Sequence, residues 1–290
     1  MSTTALRARP FAASDRAALL ALLRREHRPA GQPPVTPAML AACLRKESPI
    51  DGGWWADLRT YQVSVLPGDG GGLAGAGATG ISRKDGAGYV LWLAAGGDPD
   101  IQNQLLDEAL SQLAGCSVQR AFWFATALDA GLEGLPVATA RGLHQGLVQR
   151  GFEGSDAWLY MHRRLEDITA RSADGAVTAG GSVTIRPPGE APDTYVQGGL
   201  LNPGLAIISW LGVTPARRGR GLGRQLLDAM LAHLRHLGAA EVILYVDHDA
   251  PGGDRDRSAA IALYRSSGFA EVDHLWSYER AQPDLPMRTS

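Results

Sequence analysis

The stretch VTPARRGRGLGRQLL, residues 213–227, sets four arginines and three glycines at the approach to a leucine-rich segment. Ala206 to Val213 before it reads as an apolar strand. Leu222, Leu226, Leu227, Met230, Leu231 and Leu234 after it recur at three- and four-residue intervals, one face of an amphipathic helix that Gly238 ends. The loop therefore joins a buried strand to a helix N-terminus, where the first four N–H groups lack helical partners and the macrodipole concentrates positive charge. Such a terminus is an anion site. Gly219, Gly221 and Gly223 remove the side chains that would hold a phosphate away, and Arg218, Arg220 and Arg224 can add charge-assisted hydrogen bonds.

Arg218-Gly219-Arg220-Gly221-Leu222-Gly223 resembles the acyl-CoA pyrophosphate loop of the GNAT superfamily of N-acetyltransferases, Arg/Gln-x-x-Gly-x-Gly/Ala. AAIALYRSSGF, residues 259–269, is similar to that family's closing signature, a helix with a tyrosine followed by Gly-Phe. The resemblance covers roughly residues 200–280, with the two motifs in the family's order. It implies acetyl-CoA as co-substrate and acetyl transfer to a primary amine of a small molecule or peptide by direct attack on the thioester. It also implies Tyr264 as general acid and the backbone of Leu211, Gly212 and Val213 against the thioester carbonyl. Many family members carry asparagine seven residues before the tyrosine. Arg257 stands here instead, and either reaches the CoA phosphates or marks a lost contact. Asp247 and His248 are base candidates by position only. Two alternatives stay open: a non-catalytic acyl-CoA-binding sensor or partner, and transfer of a longer acyl group.

The chain repeats itself. LWLAAGGDPDIQNQLLDEALSQL (91–113) overlays SWLGVTPARRGRGLGRQLLDAMLAHL (209–234) with a three-residue gap, so that Trp92 meets Trp210. Each half continues through an apolar strand, AFWFATA (121–127) or EVILYVD (241–247), and closes with Gly-Phe and an aromatic strand. The expected fold class is α/β (α+β): two GNAT-like units, each a mixed, mostly antiparallel sheet flanked by helices. Residues 1–165 form a degenerate unit, 166–180 a linker, 181–280 the catalytic unit and 281–290 a tail. The first half is degenerate because Gly97, Asp100 and Gln102 face Arg218, Gly221 and Gly223, and Leu147 faces Tyr264. No helix pair is evident between 166 and 205, so the first half is expected to wall the acceptor site. Trp54, Trp55 and Trp92 are core residues or contributors to that wall.

Within the first half, Leu6 to Phe11 reads as a strand, Ser14 as the cap of a helix, and Thr36-Pro37 as the start of another that runs to about Glu47. Tyr61–Leu66 and Tyr89–Ala95 read as strands separated by glycine-rich turns. Gly75-Ala76-Gly77-Ala78-Thr79-Gly80 matches G-x-G-x-x-G, but no amphipathic helix follows it, so it reads as a turn or strand and not as a dinucleotide site.

The remaining composition sets limits. Of 290 residues, 45% are hydrophobic and 20% charged, and the net charge of −2 speaks against general nucleic-acid binding. No apolar run is long enough for a membrane span, and MSTTALRARPFAASD lacks a secretory apolar core, so a cytoplasmic protein is expected. Cys43 and Cys116 are read as small buried hydrophobes. Asp247, Asp249, Asp254 and Asp256 form either a patch for a cationic acceptor or, with Arg255 and Arg257 interleaved, a solvated loop. Counted from Asp247, the twelfth position is Ser258 and not glutamate, so no metal is expected. Monomer and homodimer are both open.

Overall fold

The computed structural model describes residues 7–48, 50–173, 176–179, 181–247, 252 and 256–282. In chain order the elements are β1 (Arg9–Pro10), α1 (Arg16–Leu23), α2 (Pro37–Leu44), α3 (Gly52–Asp57), β2 (Leu58–Pro67), β3 (Leu73–Ser82), β4 (Gly88–Ala94), α4 (Pro99–Gln112), β5 (Val118–Ala121), β6 (Leu135–Pro136), α5 (Arg141–Gln149) and β7 (Glu153–Arg164). There follow β8 (Val177–Ala179), β9 (Ser182–Ile185), β10 (Tyr195–Asn202), β11 (Leu205–Gly212), α6 (Leu222–His236), β12 (Glu241–Asp247), α7 (Ser258–Ser266) and β13 (Ala270–Ala281). Two compact units result: Met1–Ala157 with His274–Ser290, and Trp158–Asp273.

In the first unit the strands run β1-β2-β3-β4-β5 and then the last part of β13, whose Tyr278 pairs with Ala121; β4 and β5 are parallel and β1-β2, β2-β3, β3-β4 and β5-β13 antiparallel. One core lies under α1, α2 and α3, and a second under α4 and α5. The α2 start follows the cap rule, with Thr36 Oγ1 accepting from Met39 N at 3.1 Å. Ser14 lies in a 3₁₀ turn, and the α1 cap is Asp15, held by Arg9 at 2.7 Å. Trp55 and Trp92 are buried, while Trp54 is half exposed and stacks on Phe124.

Two expectations need correction here. The glycine-rich segment between Tyr61–Leu66 and Tyr89–Ala95 is not a set of turns but β3, paired along both edges with β2 and β4. Its glycines admit side chains from neighbouring elements: a Cβ on Gly75 would stand 2.6 Å from the Ile101 Cγ2 of α4. AFWFATA is a strand only to Ala121, because Phe122 turns to φ 56°, which a ladder does not tolerate.

In the second unit the order is β7 (residues 158–164), β12, β11, β10, β9, β8; among the described residues β11 and β12 pair parallel and the other neighbours antiparallel. EVILYVD is β12 residue for residue. Leu226, Leu227, Met230, Leu231 and Leu234 of α6 are all buried against Val196, Ala206, Ile208, Val242 and Leu244 of the sheet. Burial contributes about 1.5–3 kcal/mol for each such side chain. Among the described residues, 166–205 hold short strands and no helix.

Gly198 sits where β10 slips register against β11, and a Cβ there would meet the Ile207 carbonyl oxygen at 2.6 Å. Backbone cannot step aside, whereas the side chains that a Gly75 Cβ would crowd, Ile101 and Leu105, can yield in part. Gly198→Ala is therefore expected to cost ~2–3 kcal/mol, at the upper end of overpacking penalties, and Gly75→Ala ~1–2 kcal/mol. Urea unfolding of the two variants measures the difference, and an equal cost would contradict this packing.

Candidate active site

β11 and β12 begin as partners and then separate. Their ladder runs Leu205↔Glu241, Ala206↔Val242, Ile207↔Ile243 and stops, although β11 continues to Gly212 and β12 to Asp247. Past that point β11 stays paired to β10 and β12 to β7, with Tyr195 opposite Gly212 and Trp158 opposite Asp247. The backbone edge of residues 208–212 that faces β12 has no ladder partner.

After β11 the chain turns through a 3₁₀ segment, Pro215–Arg217, to the glycines. Gly219 and Gly221 adopt φ of 75° and 79°, left-handed values at which a side chain is strained. Gly221 is the N-cap of α6 and provides no side-chain cap. The first backbone N–H bonded into the helix is that of Gln225, to Gly221 O at 3.1 Å. Among the described residues, the N–H groups of 219–224 meet no acceptor, six donors in succession. Gly223 differs from its companions, since a Cβ there would make ordinary contact with Leu263 at 3.4 Å.

The arginines divide by task. Arg218 Nε donates to Val213 O at 3.1 Å across the loop. Arg220 is exposed and donates to no acceptor among the described residues. Arg224 reaches to the end of α7, donating to Ser267 Oγ at 2.8 Å, Ser266 Oγ at 2.5 Å and Ser266 O at 3.2 Å. It ties two helices together.

The sequence reading missed what anchors the loop. Thr214 N donates to Thr194 Oγ1 at 3.1 Å, Thr214 Oγ1 donates to Asp193 Oδ1 at 2.8 Å, and Arg217 pairs with Glu190. These partners lie in an irregular segment whose residue types carry no periodic signal.

Tyr264 is 6% exposed and packs edge-on against Phe269, ring centroids 5.8 Å apart. Burial pushes its phenol up to about 12, with Arg257 acting in the opposite direction. Asp247 is ion-paired to Arg257, Nη2 to Oδ2 3.2 Å. His248, Asp249, Asp254 and Arg255 lie outside the described residues, as do Leu6 and residues 283–290; of the expected Leu6–Phe11 strand the described part holds Arg9–Pro10. Among the described residues no group of three His, Cys, Asp or Glu side chains is placed to hold a metal.

The corresponding stretch of the first unit is occupied by its own carboxylates. Glu26 Oε1 accepts from Ala95 N at 2.6 Å and from Gly96 N at 2.5 Å, just past β4. Asp98 caps α4, accepting from Asp100 N at 2.9 Å and Ile101 N at 3.2 Å, and Pro99 has no N–H to offer. Leu147 is fully buried.

The fold is similar to that of a solved tandem GNAT protein from the clavulanic acid biosynthesis pathway, 16% identical, TM-score 0.57, with 95% of this chain and 98% of that one covered. It comprises two GNAT-like units. The profile of the acetyltransferase (GNAT) family matches residues 147–269. Curated relatives include a mycothiol acetyltransferase of Kocuria rhizophila, 30% identical over 189 residues (58% of this chain, 59% of that protein). Another, of Geodermatophilus obscurus, is 46% identical over 99 residues (33% of this chain, 27% of that protein). The chain thus spans less than two thirds of the length of either. Residues 147–269 thus belong to the GNAT family.

Glu26→Ala is expected to leave two N–H groups without their acceptor and to cost ~1–2 kcal/mol. Added acetate should restore part of the lost melting temperature in the variant and none in the parent; equal responses would show that the carboxylate position is not a site.

Proposed function

We propose that this chain is an N-acetyltransferase that moves an acetyl group from acetyl-CoA to a primary amine of a small molecule or peptide. The observation that carries the proposal is the run of unaccepted N–H groups at 219–224, placed where β11 parts from β12. A diphosphate satisfies donors of this kind, with the charges of Arg218 and Arg220 beside it. The free edge of Leu211, Gly212 and Val213 supplies a donor to the thioester carbonyl as negative charge builds on its oxygen. Removing one such donor costs roughly 3–4 kcal/mol in other enzymes.

The amine nitrogen attacks the carbonyl carbon directly, and Tyr264 delivers the proton that the departing sulfur needs. The name shared by the curated relatives, mycothiol acetyltransferase, supports a small-molecule amine as acceptor. The first unit, with Glu26 and Asp98 on the corresponding N–H groups, is read as a repeat that no longer binds acyl-CoA.

Free-thiol release from acetyl-CoA across a panel of amines, with product masses, tests the activity. Acetyl-CoA binding without thiol release on any amine would make the chain a non-catalytic acyl-CoA binder, and faster turnover of longer acyl-CoAs would change the donor. Tyr264→Phe is expected to lower kcat by ~10²-fold or more while leaving acetyl-CoA affinity little changed. Gly221→Ala, strained at its positive φ and narrowing the loop, should show the reverse pattern. With its phenol near 12, Tyr264 stays protonated through mildly alkaline conditions. Its ionisation should therefore give no descending limb in the pH profile of kcat below about pH 11.

A further inference from the structure

Trp92 and Trp210 correspond in the repeat, yet the two meet opposite fates. Trp92 is 4% exposed and packs into the core of the first unit, whereas Trp210 is 52% exposed. Trp210 does not stand alone in the water. Its ring stacks with that of Tyr195 on the neighbouring strand β10, centroids 6.1 Å apart and planes 27° from parallel. Arg186, the residue just past β9, holds its Cζ 4.9 Å from the Tyr195 ring centroid. Three adjacent strands thus contribute to one aromatic platform, and an exposed apolar patch of this kind marks a contact surface.

The place of the platform is what makes it informative. Val196 of β10 is paired with Leu211 of β11, and both pack into the core under α6. Strand alternation therefore sets Tyr195, Trp210 and Gly212 on the other face of the sheet. There Trp210 reaches across Gly212, since a Cβ on that glycine would stand 2.8 Å from the indole Nε1. The loop of bare N–H groups belongs to the α6 face, where a Cβ on Gly223 would lie 3.8 Å from Val213 and 4.0 Å from Leu211. Loop and platform flank one free strand edge from opposite faces of the sheet.

We propose that Trp210, with Tyr195 beside it, is the specificity-determining surface for the acceptor. It stacks a flat ring that carries the amine, and so selects ring-bearing primary amines over straight-chain ones. The inference rests on the acetyl-transfer reading of the site and adds the acceptor's class to it. With the coenzyme's diphosphate on the α6 face, the acceptor comes to the thioester from the face that Trp210 walls. A rigid ring loses fewer rotatable bonds on binding than an alkyl chain of equal carbon number, and an aromatic ring gains stacking on the indole besides.

The test uses the full chain and two amines of equal carbon number, cyclohexylmethylamine and heptylamine, with benzylamine as a planar ring. Thiol release from acetyl-CoA should favour both ring amines over heptylamine by ~10-fold in kcat/KM. Trp210→Ala should raise KM for the ring amines ~10-fold and bring them level with heptylamine, with KM for acetyl-CoA and the melting temperature close to the parent's. Trp210→Phe should keep most of the preference. Independently of turnover, benzylamine added to the protein with coenzyme A bound should shift the Trp210 indole N–H resonance, assigned by its loss in Trp210→Phe. Equal use of ring and straight-chain amines by the parent, or an unmoved Trp210 resonance, would overturn the proposal. So would a rise in KM for acetyl-CoA alone in Trp210→Ala, which would give the platform to the coenzyme, or a dimer that this variant splits, which would give it to a second copy of the chain. Thiol release from none of the amines, with the resonance shift retained, would instead remove the acetyl-transfer reading and leave ring binding at Trp210 standing.

Discussion

The structure of the second unit depends on a helix that can leave its N-terminus open. A missing cap costs about 1 kcal/mol. Five large apolar side chains of α6 are buried against the sheet, each contributing about 1.5–3 kcal/mol. Packing therefore exceeds the cost of the open end several-fold, and the unaccepted N–H groups persist without a side chain folding back over them. The first unit resolves the same geometry differently: there Asp98 closes the helix and Glu26 closes the strand end.

Separation of β11 from β12 acts together with that open helix. A ladder continued past Ile207↔Ile243 would consume the strand edge that leads to the loop. Both strands instead keep their outer partners, so each stays fixed past the point where the two part, β11 with a bulge at Ser209 against β10. Anchors on the far side of the loop, Thr194, Asp193 and Glu190, hold its first half so that only residues 219–224 present bare backbone.

Much of this was legible in the sequence, and what was not has identifiable causes. EVILYVD reads correctly because an apolar run with β-branched residues fits a buried strand, and Thr36-Pro37 marks α2 because capping is local chemistry. The loop was legible because three glycines before a leucine stripe have few other uses. β3 was not: Leu-Ala-Gly-Ala-Gly-Ala-Thr-Gly has turn composition, and only the crowding side chains of Ile101 and Leu93 explain its glycines. Nor could any pattern show that Arg257 would turn to Asp247 or that Arg224 would tie α6 to α7, since those contacts come from tertiary placement.

The last strands carry a consequence for how the chain is made. Residues 158–164 of β7 pair with β12 of the second unit, and residues 278–281 of β13 pair with β5 of the first. A ribosome emits the first unit's earlier strands long before it emits the strand that flanks β5. That unit must wait, with one edge unfilled, until nearly the whole polypeptide has emerged. A nascent chain stalled near residue 165 would accordingly hold an incomplete sheet and not an independently finished half.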